Sequence, residues 1–519
     1  MVKTKSMRKF NLWILSAILF CGLTLTACSS VSEDNPVSPT QKEEDKNADV
    51  DEFYKVAAVA GDPAVVAALN SIPNVTDVKP FMTEAAGLAY YFNYKNYISH
   101  DNPSLGTYKQ QVVLVYSRAD DPVVLHTEGY TLSGIQSGEG NKNRLDKMDF
   151  PTFLYTLSKD YADYNNKFNV NCVAVEYRYH GFSLPEGNTD KFTYLNAKEH
   201  SADLHAIVTD LKKYLFNKDN KWLSTGVSKS GMTTYQYAYY YPNDVDAYFP
   251  FVAPLPLQLF DMRIGDYIIK SSVKDKLADL KRVFQKLAND EAIMAATVDS
   301  ILKRDNETSK FSEYKGDDRD TIIYNTISTC MYKLFGKQSY GDYDTWTALI
   351  PSENASPATY AEFFMIDEND DRIKRKTSAT RTTLVKREDP FVAQISVDQG
   401  NLAYNFEWFR EDGLSLVNAN VKKMIVDEET RKKNSDAIDL QVKIKEWLTT
   451  TTCKMMFIYG EDDPWTGAAI DDPTNPNVQK VIVPHGTHND YMNLWNIYQG
   501  GQDVADKVNA AAKQALGIQ

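Results

Sequence analysis

Residues 221–231 have the sequence KWLSTGVSKSG. They predict a short strand, a sharp turn at Ser228, and a helix that runs to Tyr241, where Pro242 stops it. A serine in such a turn is exposed at the edge of a sheet, at the positive end of the following helix. This context favours Ser228 as a nucleophile, with the amide of Lys229 as an oxyanion donor.

The residues around Ser228 fit a nucleophile turn with one departure. Gly226 stands two positions before the serine, but Ser230 occupies the position where the pattern G-x-S-x-G has its second glycine, and Gly231 follows it. A simpler interpretation is a serine-rich turn in which Ser228 or Ser230 only caps the helix. Ser230 as the nucleophile is a further alternative, although no glycine lies two positions before it.

Two segments near the C-terminus supply an acid and a base. The apolar run 455–459 is followed closely by Asp463, and the run 480–483 is followed by His488. The chain order Ser, Asp, His is that of α/β-hydrolases, in which the histidine takes the serine proton and the aspartate orients the histidine. We therefore predict a catalytic triad of Ser228, Asp463 and His488.

Each of these two segments also has a structural interpretation. Residues 461–463 could form a solvated acidic turn, because Asp is an ordinary turn residue. His485 and His488 could be structural, or could bind a metal together with Asp490. No H-E-x-x-H pattern or other metal-ligand cluster accompanies them, so the prediction is for no metal and no cofactor.

Short apolar runs alternate with amphipathic helical patterns along the rest of the chain, as in βαβ units. The helical patterns lie at 204–215 and 503–516. The predicted strands are 112–116, 123–126, 172–176, 221–225, 247–252, 455–459 and 480–483. These elements predict an α/β-hydrolase fold, with a mostly parallel sheet and covering helices.

A long stretch interrupts this alternation and defines the predicted domains. Residues 257–439 are charged and helical in pattern with few strand signals, and we interpret them as a large, mainly helical lid insertion. The α/β-hydrolase core then comprises residues 53–256 and 440–519.

The N-terminus has the pattern of an export signal. A basic start and an apolar run at 10–23 lead to the sequence LTAC, which ends at Cys28 and resembles a lipobox. We predict a signal peptide over residues 1–27, lipidation of Cys28, and a disordered acidic tether over 28–52. This places the protein in the cell envelope, anchored to the outer membrane or at the cell surface. An ordinary signal peptide or an uncleaved anchor remains an alternative.

Composition narrows the classes of partner. The formal net charge of -13 argues against binding to nucleic acid, which needs a basic face. After Cys28, only Cys172, Cys330 and Cys453 remain, which is too few for a disulfide framework or a zinc cluster.

Taken together, these motifs resemble those of the secreted bacterial tripeptidyl aminopeptidases and, more distantly, of lysosomal Pro-X carboxypeptidases and dipeptidyl peptidases. The resemblance is carried by segments of the chain at 126–130, 175–183, 226–231, 460–465 and 486–490. It implies hydrolysis of oligopeptides near a free N-terminus, with release of a short peptide, most simply a tripeptide.

The same resemblance implies further site residues. Glu128 would hold the protonated α-amino group of the substrate, and the amide of Gly129 or Tyr130 would be the second oxyanion donor. Glu128 could instead be the ion-pair partner of Arg178. Glu176 and Arg178 are interpreted as structural rather than catalytic.

Two other functions are compatible with the residues. An esterase would use an identical triad and differ in the lid and in the amine clamp. A non-catalytic surface lipoprotein that binds glycans or peptides would explain the export signal and the abundant tyrosine and tryptophan, but it would have no need of an ordered triad.

Overall fold

Nine strands form one mixed sheet in the part of the chain that the computed structural model describes. The described residues are 60–83, 87–129, 132, 168–180, 183, 185, 194–257, 263, 267, 276–304, 307–316, 318–319, 322–323, 326, 330, 348–365, 428–461, 463–484, 486, 488 and 502–518. The strands are β1 Val75–Thr83, β2 Gly87–Tyr97, β3 Thr107–Val115, β4 Val123–Thr127, β5 Asn171–Val175, β6 Trp222–Val227, β7 Ala247–Phe251, β8 Met455–Gly460 and β9 Val478–Val483.

The strand order is β1-β2-β3-β5-β4-β6-β7-β8-β9. Pairs among β1, β2, β3 and β5 are antiparallel, and all pairs from β5 through β9 are parallel. Each of the seven predicted strands overlaps an observed one, and the sheet is mostly parallel, which confirms the predicted α/β-hydrolase fold. Strands β1 and β2 were not predicted.

Helices follow or separate these strands. Those of regular α geometry are α1 Pro63–Ser71, α2 Ala197–Tyr214, α3 Lys229–Tyr240, α4 Leu277–Asn289, α5 Glu291–Arg304, α6 Pro357–Met365, α7 Glu428–Leu448 and α8 Gln502–Leu516. The three predicted helices of the core, at 204–215, after Ser228 and at 503–516, are present as α2, α3 and α8. Helix α2 begins at Asn196, whose side chain accepts a hydrogen bond from the Glu199 amide and so caps the first turn.

Each face of the sheet packs against its own hydrophobic cluster. Because side chains alternate along a strand, Val123 and Leu125 of β4 face one cluster and Val124 faces the other. Helix α2 covers the first face with Leu204, Ile207, Val208 and Leu211, and helix α8 covers the second with Ala505, Val508, Ala512 and Leu516. Burial on both faces is what a mainly parallel sheet requires. Because β4 to β9 run in the same direction, their carboxyl ends lie at one edge of the sheet.

The connection between the adjacent parallel strands β7 and β8 contains the predicted insertion. Its described residues form helices α4 to α7, and no strand occurs among them. Helix α7 runs through residue 439, so the predicted boundary at 439/440 falls inside a continuous helix. The domain limits stay a prediction. No helix in the described part of the chain is both long and apolar enough to cross a membrane. The signal peptide, Cys28 and the tether lie outside the described residues.

A buried ion pair joins α2 to the loop after β5. Arg178 donates two hydrogen bonds to Asp203, at 2.8 Å each, and its other three N–H groups bind backbone carbonyls of Tyr97, Ile98 and Tyr194. Although burial opposes ionisation of Asp203, the Arg178 guanidinium holds the pKa of this carboxyl well below its usual range. The two side chains thus remain charged at neutral pH.

Arg178→Met is expected to destabilise the fold by about 3–5 kcal/mol, because it leaves the buried Asp203 carboxylate without its guanidinium counter-ion. Chemical denaturation followed by circular dichroism measures this change. Arg118→Met is the matched control, since the Arg118 side chain that pairs with Asp121 is largely exposed and its loss should change the unfolding midpoint little. Equal effects of the two substitutions would contradict a special role for the buried pair.

Candidate active site

Ser228 lies between the end of β6 and the first residue of α3, in a strained backbone conformation. Its φ is 58° and its ψ is -119°. Positive φ is uncommon for residues with a side chain and costs about 1–3 kcal/mol, so the surroundings must hold it. The Ser228 amide donates to the carbonyl of Phe251 at 2.9 Å, which ties the turn to the end of β7. The turn is the strand–serine–helix arrangement that the sequence predicts.

Two glycines allow the turn to be this tight. A Cβ at position 226 would lie 2.5 Å from the Ser230 carbonyl oxygen, and a Cβ at position 231 would lie 2.7 Å from the Phe251 carbonyl oxygen. Neither distance occurs between real Cβ atoms and backbone oxygens, so both positions need glycine. The second close approach therefore falls on Gly231, one residue later than in G-x-S-x-G, and a serine fits at position 230.

The structure brings Ser228, Asp463 and His488 together. His488 Nδ1 lies 2.8 Å from Asp463 Oδ2, and His488 Nε2 lies 2.9 Å from Ser228 Oγ. An ionised carboxylate can only accept, so Nδ1 donates to Asp463 and Nε2 is left to accept the serine proton. The relative exposures are 7% for Ser228, 0% for Asp463 and 2% for His488, so bulk water does not weaken these bonds.

Asp463 is held from its other side as well. It follows β8 and caps a short 3₁₀ helix, Pro464–Ala468, with Oδ1 accepting from the Trp465 amide at 3.0 Å. The two carboxylate oxygens of Asp463 thus have different partners: Oδ1 accepts from the loop backbone, and Oδ2 accepts from His488. His485 and Asp490, the partners of the alternative metal interpretation, lie outside the described residues. Among those described, no group of three or more His, Cys, Asp and Glu could hold a metal ion.

The two predicted oxyanion donors lie side by side. A Cβ at Gly129 would be 2.7 Å from Lys229 Cβ and 2.8 Å from the Lys229 carbonyl carbon. The loop after β4 therefore touches the first residue of α3, which lies at the positive end of the helix dipole. Tyr130, the alternative second donor, lies outside the described residues.

Gly129→Ala is expected to lower kcat by about 10²-fold with little change in KM, because the added methyl group separates the two backbones that carry the candidate donors. Steady-state kinetics on a peptide substrate measures this effect, and thermal unfolding checks that the variant is folded. An unchanged kcat in the folded variant would mean that catalysis does not need this close approach.

Glu128 is buried next to the same loop, with a relative exposure of 2%. Its Oε1 lies 3.4 Å from His126 Nε2. The alternative pairing with Arg178 is not formed, because all five N–H groups of Arg178 bind other acceptors. The Glu128 carboxylate therefore lies beside Gly129 and forms no direct ion pair with Arg178.

Glu176 has a supporting function that the sequence did not specify. Its Oε1 accepts from the Leu132 amide at 3.2 Å, and its Oε2 accepts from the Ser183 amide and hydroxyl at 3.0 and 2.8 Å. The carboxylate thus connects the loop after β4, which contains Gly129, to the loop after β5. The structural interpretation of Glu176 agrees with these contacts. The only sequence signal was the spacing of Glu176 and Ser183 within the resemblance at 175–183.

The cysteines take no part in this arrangement. Cys172, Cys330 and Cys453 are free and buried. Burial raises the pKa of the Cys172 thiol well above its ordinary value, so this group is a packed apolar side chain rather than a thiolate.

Two sequence comparisons bear on this site. The family described as PS-10 peptidase S37 matches residues 64–283. A prolyl tri/tetrapeptidyl aminopeptidase from Streptomyces mobaraensis is 23% identical over 383 residues, which cover 72% of this chain and 69% of the relative.

Similar chains among the solved structures include an acetyl esterase and a proline iminopeptidase. The esterase is 12% identical, with a TM-score of 0.34 over 83% of this chain and 97% of its own. The iminopeptidase, from Mycobacterium smegmatis, is 10% identical, with a TM-score of 0.33 over 82% and 99% of the two chains. The sheet order and the strained turn at Ser228 are the features that identify the α/β-hydrolase fold in this chain. The two sequence matches make the chain similar to the S37 peptidases and to the Streptomyces aminopeptidase, and on this basis it is a serine-type peptidase that acts on peptides.

Proposed function

We propose that the protein is an exopeptidase that cleaves short peptides, most simply tripeptides, from free N-termini through an acyl-enzyme. The observation that carries this proposal is the continuous chain of hydrogen bonds Asp463–His488–Ser228, at 2.8 and 2.9 Å, which ends on a serine in a strained turn. Asp463 orients His488, His488 is the general base, and Ser228 is the nucleophile.

In the first half of the reaction, Ser228 Oγ forms a bond to the carbonyl carbon of the scissile peptide while its proton passes to His488 Nε2. The amides of Lys229 and Gly129 stabilise the oxyanion. The carbon–nitrogen bond then breaks, and the His488 imidazolium donates its proton to the leaving amine. In the second half, water attacks the ester with His488 again as base, which releases the N-terminal fragment and restores Ser228.

The proposed function of Glu128 is to bind the substrate α-amino group and so measure the distance to the scissile bond. A protonated amine is the natural partner for a buried carboxylate beside the oxyanion loop, and a peptide lacking that charge would lose this attraction. The name of the Streptomyces relative, which specifies fragments of three or four residues, supports a short fragment here as well.

The test uses two sets of oligopeptides of the same sequences, one with free and one with acetylated N-termini. The full-length protein, purified in detergent, is incubated with each set, and the products are identified by mass spectrometry. Release of N-terminal tripeptides from the free set alone is the expected result. Cleavage of both sets would mean that Glu128 does not need to bind a charged α-amino group. Hydrolysis of simple esters without cleavage of either peptide set would identify the protein as an esterase instead.

We also propose that the mature protein is anchored to the cell envelope by lipid at Cys28, at the outer membrane or cell surface. Cys28→Ser is expected to abolish incorporation of labelled fatty acid and to move the protein from the membrane to the soluble fraction after ultracentrifugation. Cys21→Ser, in the apolar run of the predicted signal peptide, is the matched control and should leave both properties unchanged. Fatty-acid labelling that survives Cys28→Ser would exclude this anchor.

A further inference from the structure

The side chain of Lys229 is buried beside the nucleophile, with the residue only 3% exposed. Lysine is among the residues least often buried, because its ammonium loses strong hydration. The amide of this residue is a proposed oxyanion donor, but the amide would be present with any side chain. The buried cation therefore calls for a separate explanation.

The stem of Lys229 packs on the opposite oxyanion loop. Its Cβ would lie 2.7 Å from a Cβ built on Gly129, so stem and loop are in direct contact. The ammonium group lies over the ring of Tyr177, with Nζ 5.1 Å from the ring centroid. A cation at this distance is attracted to the aromatic face, and the attraction is stronger where both groups are shielded from water.

Tyr177 is itself held in place by a ring contact and by its position in the chain. Its ring packs against that of His200, with centroids 3.9 Å apart. Burial lowers the pKa of His200 to about 4, so this neighbour is neutral at pH 7 and adds no full positive charge near the ammonium. On the chain, Tyr177 directly follows Glu176, whose carboxylate binds the Leu132 amide beyond Gly129.

From these contacts we infer that the Lys229 side chain is a positioning residue for the oxyanion hole. Its ammonium on Tyr177 and its stem on Gly129 hold the two proposed donor amides at a constant separation. This inference rests on the proposed function, in which the amides of residues 129 and 229 bind the oxyanion. Such donors stabilise the transition state only when they lie within a few tenths of an ångström of the position that the oxyanion requires. Loss of the Lys229 contacts should therefore lower kcat rather than weaken substrate binding.

The test compares substitutions that remove one half of the contact at a time. Lys229→Met keeps the amide and most of the stem but removes the charge, Tyr177→Leu removes the aromatic face, and Tyr177→Phe keeps it. The matched control is Lys212→Met, because Lys212, on helix α2, places its Nζ 5.4 Å from the centroid of the Trp222 ring. Each variant of the full chain is assayed for kcat and KM on an unacetylated peptide and for its thermal unfolding midpoint.

Lys229→Met and Tyr177→Leu are each expected to lower kcat about tenfold, less than the loss of a whole donor, with KM changed less than about twofold. The double variant should lose no more than either single one, because both substitutions break the same contact. Tyr177→Phe and Lys212→Met should retain kcat, even where Lys212→Met lowers the unfolding midpoint.

Three results would overturn the inference. The first is an unchanged kcat in Lys229→Met. The second is a rise in the KM of Lys229→Met alone, which would make the ammonium a substrate contact, and the third is an equal loss of kcat in Lys212→Met, which would make the effect one of stability. In each of these cases, inactivity of Ser228→Ala would leave the proposed function intact. Undiminished activity of Ser228→Ala would instead remove the proposed function itself.

Discussion

Ser228→Ala is expected to lower kcat for peptide hydrolysis by about 10⁶-fold, which is the scale of loss when a serine peptidase of this type loses its nucleophile. Ser228 Oγ is the group 2.9 Å from His488 Nε2, and alanine offers no atom that could attack the substrate or take over this bond. Substrate binding and the oxyanion donors would still provide a residual rate. KM should change little, because the substitution leaves the substrate-binding groups in place. Single-turnover kinetics with excess enzyme would measure that remaining activity.

The matched control for this prediction is Ser230→Ala. Ser230 is the neighbouring serine that the sequence left as an alternative nucleophile, and it is similarly buried at 8% exposure. Its backbone carbonyl accepts from the Thr127 and Thr234 hydroxyls, and the substitution leaves this carbonyl in place. Activity should therefore survive in Ser230→Ala. The opposite pattern, with activity lost at position 230 and kept at 228, would assign the nucleophile to Ser230.

The parallel half of the fold could be predicted because its strands are short, apolar and bounded by turn residues. In β4, the run Val123–Leu125 is buried on both faces and is preceded by Asp121 and Pro122. Each strand of this kind ends at the same edge of the sheet. Asp463 and the serine turn at 228 therefore converge although they are far apart in the chain, and the order Ser, Asp, His was informative before any distance was known.

Strands β1 and β2 could not be predicted for reasons visible in their residues. In β2, tyrosines occupy both faces, with Tyr90 in one hydrophobic cluster and Tyr91 in the other, so the alternation of apolar and polar residues is weak. In β1, the register shifts between Thr76 and Lys79, which breaks the period of two. The antiparallel pairing of β3 with β5 was not predicted either, since the same apolar pattern suits parallel and antiparallel neighbours.

The support around the site was the least predictable part. Glu176 acts on Leu132, 44 positions earlier in the chain, and Lys229 acts on Tyr177 and Gly129 in two other loops. These contacts depend on how three loops meet at one edge of the sheet, and no local period or spacing encodes that meeting. The triad was predictable because its residue types and order are constrained by chemistry, whereas its support is constrained only by packing.

Asp463→Asn is expected to lower kcat about 10⁴-fold while the fold stays intact. The side chains have nearly the same shape, and the asparagine could still accept the Trp465 amide through its carbonyl oxygen, as Asp463 Oδ1 does at 3.0 Å. Its amino group would then face His488 Nδ1, in place of the oxygen that lies at 2.8 Å. Because that group donates, Nδ1 must accept, the ring proton moves to Nε2, and Nε2 can no longer take the proton of Ser228.

The control for the tautomer argument is Asp471→Asn, which removes a carboxylate from the same connection between β8 and β9. Asp471 forms an exposed ion pair with Lys445, 2.8 Å away, and its loss should leave kcat unchanged. Proton NMR of the buried histidine in Asp463→Asn should show the ring proton on Nε2, whereas the unmodified protein should carry it on Nδ1. A large fall in kcat with the proton still on Nδ1 would mean that Asp463 acts through its charge alone, by stabilising the imidazolium, and does not orient the histidine.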